Sequence, residues 1–225
     1  MFYHLPHHVS FGRVAGDIVV LDVRADRYIR LGPDESAVLE AVAAGTPRSY
    51  DLDLAERLAT RGVIAQGEGP CSEAVVAPQV VRSAVETEGS VTPVGLLEVA
   101  RARAYAALSL RFCGLSRTIS RWRQVRAFAA PVKLTVSASQ RETQIRAAGI
   151  ARGFARSRLF LPAQRRCVPD GLALLACVKR RGIFADLYFG VRLAPFAAHC
   201  WVQAGDELLS DPLDIIREFS PVFRL

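Results

Sequence analysis

The sequence predicts an α+β protein built in two parts, and three observations carry that reading. Within the first 66 residues, short alternating apolar runs come first and helical periodicity follows. Beyond residue 92 the order reverses, with long helical patterns ahead of strand-like runs. Between them, residues 67–92 are rich in Gly, Pro, Ser and Glu and show little periodicity, which marks a linker. Charge divides the chain in the same way: residues 1–66 carry seven Arg against nine acids, and residues 67–225 carry 22 basic against 13 acidic groups. The expected organisation is therefore a small domain at 1–66, a linker at 67–92 and a larger domain at 93–225. With 225 residues and 51% hydrophobic content, each part can bury a core.

In the first part, "IVVLDV" and "RYIRL" alternate and are punctuated by "AGD" and "RADR", so residues 8–32 predict two or three short antiparallel strands. "PDESAVLEAVAAG" then predicts a helix from Pro33, with acids in the first turn, apolar Val38, Leu39 and Val42, and Gly45 as the stop. "LDLAERLATRGVIA" repeats the pattern with Leu52, Leu54, Leu58 and Gly62, followed by a strand-like "GVIA". Strands, then helices, then a short wing is a winged-helix-like order. Its DNA-binding use is disfavoured, because 52–64 balances Arg57 and Arg61 with Asp53 and Glu56 and offers phosphates no net charge.

In the second part, the run beginning "VGLLEVARARAYAALSLRF" predicts a long helix that reaches Phe128, with a break near Cys113 and Gly114. Residues 99–128 hold seven arginines and no acid. That face reads as solvated Arg stems over apolar surface, or as contact with an acidic partner or an anionic membrane surface. Nucleic acid fits least, since the aromatics are not interleaved with the basic residues in any stacking pattern. "SASQRETQIRAAGIARGFARSRL" predicts the next helix, capped at Ser137 or Ser139, with Glu142 completing a capping box on Ser139.

The five cysteines are odd in number and form no C-x-x-C pair, which argues against a disulfide framework and against a zinc site; no metal and no cofactor is expected. "MFYHLPHHVSFGR" lacks a signal-peptide apolar region and no stretch of eighteen uncharged apolar residues occurs, so a soluble cytoplasmic protein is expected.

Chemistry concentrates at the end. "CVPDGLALLACVKRR" predicts a helix headed by Cys167, with Asp170 in its first turn and a basic cluster at its end. A cysteine at a helix N-terminus meets unpaired N–H groups and the positive dipole end, which favour a thiolate and can receive an oxyanion. Cys177 falls in the helix interior and reads as core. "IFADLYFGVRL" and "AHCWVQAG" predict a hairpin, with His199 and Trp201 on one strand face and Cys200 on the other. "DELLSDP" predicts a turn and a short third strand that ends at Asp211.

A thiol needs a base to become a nucleophile and an acid to release an amine, and imidazole serves both near neutral pH. A helix-start nucleophile, a histidine on the next hairpin and a carboxylate on the neighbouring strand is the chain order of papain-like and transglutaminase-like cores. A lone histidine beside Trp201 also fits a hydrogen-bonded core role.

Two stretches resemble a known family. "DIVVLDVRADRYIRLGPDESAVLEAVAAG" is similar to the small leader-recognition domains of ribosomal peptide biosynthesis, over roughly residues 8–70. "RRGI", "FGV", "PFAAHCWVQ" and "SPV", behind the Cys-headed helix, resemble the leader-peptidase domain of lasso peptide B proteins over residues 160–225. Gly171 stands where that family usually has Ser, and Ser210 where it commonly has Asn.

The resemblance implies a nucleophile at Cys167, base and acid at His199 and an orienting carboxylate at Asp211. It implies a leader strand captured by β-augmentation in a groove of Arg27, Tyr28, Ile29 and Leu31 from a strand and Leu54, Ala55, Leu58 and Ala59 from a helix. The partners it implies are the precursor's leader and an ATP-dependent asparagine-synthetase-like macrolactam cyclase, with a threonine in the penultimate leader position. Gln164 is the side-chain candidate for a second oxyanion donor. An inactive leader-binding adaptor and an acyl-transferase with the same three residues are the rival functions.

Overall fold

The computed structural model describes residues 2–46, 50–128 and 140–225, except the side chains of 125–128. The caps expected at Ser137 and Ser139 lie outside the described residues. The described chain forms two compact units. The first gathers Met1–Val76 with Gly190–Ala197 and Ser220–Phe223; the second gathers Ala77–Phe189, Ala198–Phe219 and Arg224–Leu225.

The first unit opens with β1 (Tyr3–His4), β2 (Val9–Val14), β3 (Asp17–Asp22) and β4 (Arg27–Arg30). β2, β3 and β4 form an antiparallel sheet in that order, so β4 is an edge. Ala15 and Gly16, both at positive φ, make the two-residue turn between β2 and β3, which suits the right-handed twist of the strands. Asp22 Oδ1 accepts from Arg24 N and Ala25 N, each at 3.0 Å, and starts the next turn.

α1 (Pro33–Ala43) begins with proline and ends at Gly45, whose φ of 67° a side chain would resist. Asp51 caps α2 (Leu52–Thr60) by accepting from Asp53 N at 2.8 Å and Leu54 N at 3.1 Å. Val20, Leu39, Ala55 and Leu58 are fully buried between sheet and helices. The wing expected at "GVIA" differs in the structure: Val63 and Ile64 are core residues, and the strand β5 (Ala65–Gln66) pairs with β1. Tyr3–His4, unforeseen as a strand, takes that pairing.

A five-stranded sheet is ordered β10–β7–β8–β9–β6, with β6 (Arg82–Ser83), β7 (Asp186–Leu193), β8 (Phe196–Ala204), β9 (Glu207–Leu208) and β10 (Ser220–Arg224). β8 turns antiparallel into β9 through Gly205, at φ 63°, and β6 pairs parallel with β9. The helices are α3 (Leu96–Phe128), broken at Gly114 as its sequence suggests, α4 (Gln140–Leu159), α5 (Cys167–Arg180) and the short α6 (Leu213–Ile216). α5 is apolar on nearly every side and packs against α3, α4 and the sheet. Its Gly171 is a close-approach point: a Cβ there would meet Leu187 Cδ1 at 2.7 Å.

Residues 77–92, expected to be linker, hold β6 and a segment strapped along α4. Arg152 donates to the carbonyls of Ala84, Thr87 and Ser90 at 2.9–3.1 Å, and Thr92 N donates to Gly149 O at 2.9 Å. Gly153 admits this strap, since a Cβ would fall 1.9 Å from Thr92 O. Composition marks such a segment as irregular but carries no sign of an Arg partner more than sixty residues away.

Candidate active site

Cys167 is the first residue of α5, after an extended Arg166. What fixes that start is Asp170, one turn on. Its Oδ2 accepts from Arg166 N at 3.1 Å, and its Oδ1 accepts from Arg103 Nε at 2.8 Å and Arg158 Nε at 3.0 Å. Arg158 also holds Ala163 O at 2.8 Å, and Arg103 holds Gln164 O at 2.5 Å. Two guanidiniums and one carboxylate therefore clamp the loop that delivers Cys167.

The Arg158 side chain is only 6% exposed, so removing its counter-charge strands a buried cation. Asp170→Ala is expected to cost about 3 kcal/mol in urea unfolding, near the low end for a broken buried pair, because Arg158 keeps its carbonyl partners. Asp170→Asn should recover part of that loss.

His199 stands on β8 and its Nε2 lies 3.0 Å from Asp211 Oδ1, which leaves Nδ1 for Cys167. Its ring sits 5.5 Å from that of Phe219. Asp211 is held in turn: Ser210 Oγ donates to its Oδ2, and Ser83 Oγ donates to its carbonyl at 2.7 Å. Ser210 also accepts from Val202 N at 2.9 Å, which ties the carboxylate to β8. Asp211 was expected at a strand end; β9 instead closes at Leu208, and Asp211 occupies the bend before α6. The ladder ends there because Leu209 N still donates to Val202 O at 2.8 Å, whereas Val202 N donates to Ser210 Oγ in place of a backbone carbonyl.

Cys167, His199 and Asp211 line one cleft of about 410 Å³ with apolar walls from Phe154, Leu174 and Leu209. The electrostatics match an ion pair. Hydrogen bonds from the side chains of Cys200 and His199 and from the Cys200 backbone hold the Cys167 thiol down to about 4, against burial. Burial presses His199 down, but its hydrogen bonds to Asp211 and Cys167 outweigh that and hold it up to about 9. Cys177, fully buried, is pushed up to about 12 by burial and by Glu98, as befits an inert core thiol.

Other expected site residues fall differently. Gln164 is exposed and offers its backbone carbonyl to Arg103 and Arg158; the neighbouring cleft wall is Arg165 and Arg166. Of the eight residues expected in a peptide groove, Leu31, Ala55 and Leu58 are core residues and cannot line it. Arg27, Tyr28, Ile29, Leu54 and Ala59 keep accessible surface. Arg27 bridges strand and helix, donating to Arg61 O at 2.5 Å, and Tyr28 meets Phe196 edge-on at 5.9 Å.

Three participants were not foreseen. Ser210 and Cys200 sit beside the expected residues but carry no spacing signal, and Arg103 looks like any other arginine of a basic helix. Among the described residues no group of three His, Cys, Asp or Glu is placed to hold a metal, and no helix is long and apolar enough to cross a membrane.

A family model described as the transglutaminase-like superfamily matches residues 106–224, more than half of the chain. No curated protein and no solved structure matches it.

Proposed function

We propose that this chain, which belongs to the transglutaminase-like superfamily, is a cysteine peptidase that removes the leader from a lasso peptide precursor. Members of that superfamily generally carry cysteine-protease-like catalysis. The observation that supports the reading most is the 3.0 Å bond between His199 and Asp211 in the cleft that also holds Cys167 at the start of α5.

The chemistry follows from those positions. Cys167 Sγ attacks the carbonyl carbon at the leader–core junction. The oxyanion faces the first turn of α5, where Pro169 has no N–H and the amides of Cys167 and Val168 are the available donors. His199 then passes its proton to the leaving core amine, the C–N bond breaks and a thioester to the leader remains. His199 next takes a proton from water, whose oxygen attacks the thioester carbon and releases the leader acid and the Cys167 thiolate, which restores the ion pair. Asp211 holds the ring so that Nδ1 faces sulfur throughout. The freed amine would then go to a separate ATP-dependent, asparagine-synthetase-like cyclase.

The edge strand β4 supports leader capture. Leu31 N donates to Ile18 O at 3.0 Å, so by alternation Arg27 and Ile29 also bond inward, and the peptide groups of Tyr28 and Arg30 face outward. Among the described residues no strand pairs with that edge, which is where an added strand would join.

Incubation with a precursor peptide that has threonine in the penultimate leader position tests the proposal by product mass. Leader acid plus free core amine is the expected result. A leader joined to an added amine would indicate acyl transfer, and bound but intact peptide would indicate an adaptor. Arg30→Pro, which removes an outward donor and spares the ladder to β3, is expected to weaken leader affinity about tenfold with the melting temperature little changed.

A further inference from the structure

The cleft contains a second thiol that the mechanism above does not use. Cys200 follows His199 on β8 and is 2% exposed. Strand alternation turns it away from the His199 face, yet both line the same cleft. Its Sγ lies 3.8 Å from where a Cβ on Gly171 would stand, and Gly171 is one helical turn after Cys167 on the same face of α5. A Cβ at 171 would collide with Leu187 Cδ1 at 2.7 Å, so the glycine lets α5 lie this close to Leu187, Val202 and Cys200. The two cysteines thus approach each other in that cleft, and among the groups that favour the Cys167 thiolate the Cys200 side chain has the largest influence, with its backbone adding to it.

We propose that Cys200 is a second functional thiol of this site, whose S–H donates to the Cys167 thiolate and holds the nucleophile as an anion from the side opposite the imidazole. Burial pushes the Cys200 thiol well up and the neighbouring thiolate pushes it further, so the donor keeps its proton. An S–H is a weak donor in water, but Cys200 is buried, and a bond from a buried donor to an anion gains strength. The arrangement gives the thiolate donors on two sides, so it does not depend on the imidazolium alone. Cys200 also withholds no proton from the reaction, because His199 remains the group that supplies the leaving amine.

This inference rests on Cys167 being the nucleophile, and its test reads the thiol pair without substrate, so it can fail while the peptidase reading stands. Alkylation of each cysteine by iodoacetamide is followed from pH 3 to 10 by peptide mass spectrometry in the parent protein, Cys200→Ala and Cys200→Ser. The Cys167 midpoint is expected to rise by about one pH unit or more in C200A, a tenfold change in proton affinity, while Cys71 does not move. C200S, which restores a donor, is expected to recover at least half of the shift. A C200A midpoint equal to the parent's overturns the proposal, and so does a C200S midpoint equal to that of C200A, which would assign the change to packing.

A measurement on the unsubstituted chain guards against a variant that fails to fold. With limiting hydrogen peroxide, the Cys167 thiolate attacks one peroxide oxygen, the O–O bond breaks with release of hydroxide, and a sulfenic acid forms. The Cys200 thiol then displaces its hydroxyl as water to give a Cys167–Cys200 disulfide. The cross-linked peptide is expected. Cys167 sulfinic acid accumulating beside a free Cys200 thiol overturns the contact.

Discussion

Cys167→Ala is expected to reduce precursor cleavage by roughly 10⁴-fold or more while leader affinity stays within about twofold. The two halves of that expectation have separate origins. Losing the sulfur removes the proposed nucleophile, and the neighbouring Cys200 is buried with its proton retained. Binding, by contrast, is proposed for the β4 edge in the first unit, which the substitution does not touch. Cys167 is partly exposed at a helix start, so trimming it to alanine opens little cavity and the fold should survive. Kinetics by mass spectrometry and leader binding by fluorescence polarisation check both halves. Residual cleavage within tenfold of the parent would remove Cys167 as nucleophile, and loss of affinity together with cleavage would place leader contacts in the cleft.

Much of this site was legible in the sequence because its parts are local. A cysteine followed by Pro169 and Asp170 announces a helix start, and "AHCWVQAG" announces a strand ending in a turn. The chain order of the three groups then follows from the element order. Pairings between distant segments were not legible. Arg103 sits in a helix with seven arginines and no acid between residues 99 and 128, where a solvated face is the natural reading. Its side chain is only 14% exposed, because Asp170, sixty-seven residues on, needs it. Likewise β6 and β9 are two residues long, too short for periodicity to register, and exist because each completes the other's ladder.

Cys200 shows where a correct local rule stops short. Alternation along β8 separates Cys200 from His199, and that holds for the strand. The rule says nothing of what packs beside the strand. α5 lies close enough at Gly171 for the nucleophile to meet both residues, a closeness set by the small residue on the helix.

His199→Ala is expected to move the Cys167 alkylation midpoint from about 4 up by two units or more, and to lower cleavage by roughly 10⁴-fold. The sign follows from the pair. The Cys167 thiolate takes a proton as pH falls through about 4, and the His199 imidazolium loses one as pH rises through about 9, so cleavage in the parent should peak between those limits and fall on both sides. Alanine removes the imidazolium's attraction and one hydrogen bond, while the Cys200 donors and the helix terminus remain. The midpoint should therefore stop short of the ordinary thiol value near ~8.5. The midpoint is the right observable, because alkylation at one pH mixes two opposing effects. Raising a thiol's pKa by two units lowers its thiolate fraction up to a hundredfold below that pKa, yet raises the intrinsic reactivity of each thiolate by roughly tenfold. Cleavage has no such compensation, since the variant lacks the acid that protonates the leaving amine. A midpoint unchanged near 4 in H199A would show that His199 is not the partner of Cys167, and the bell-shaped profile would then need another acid.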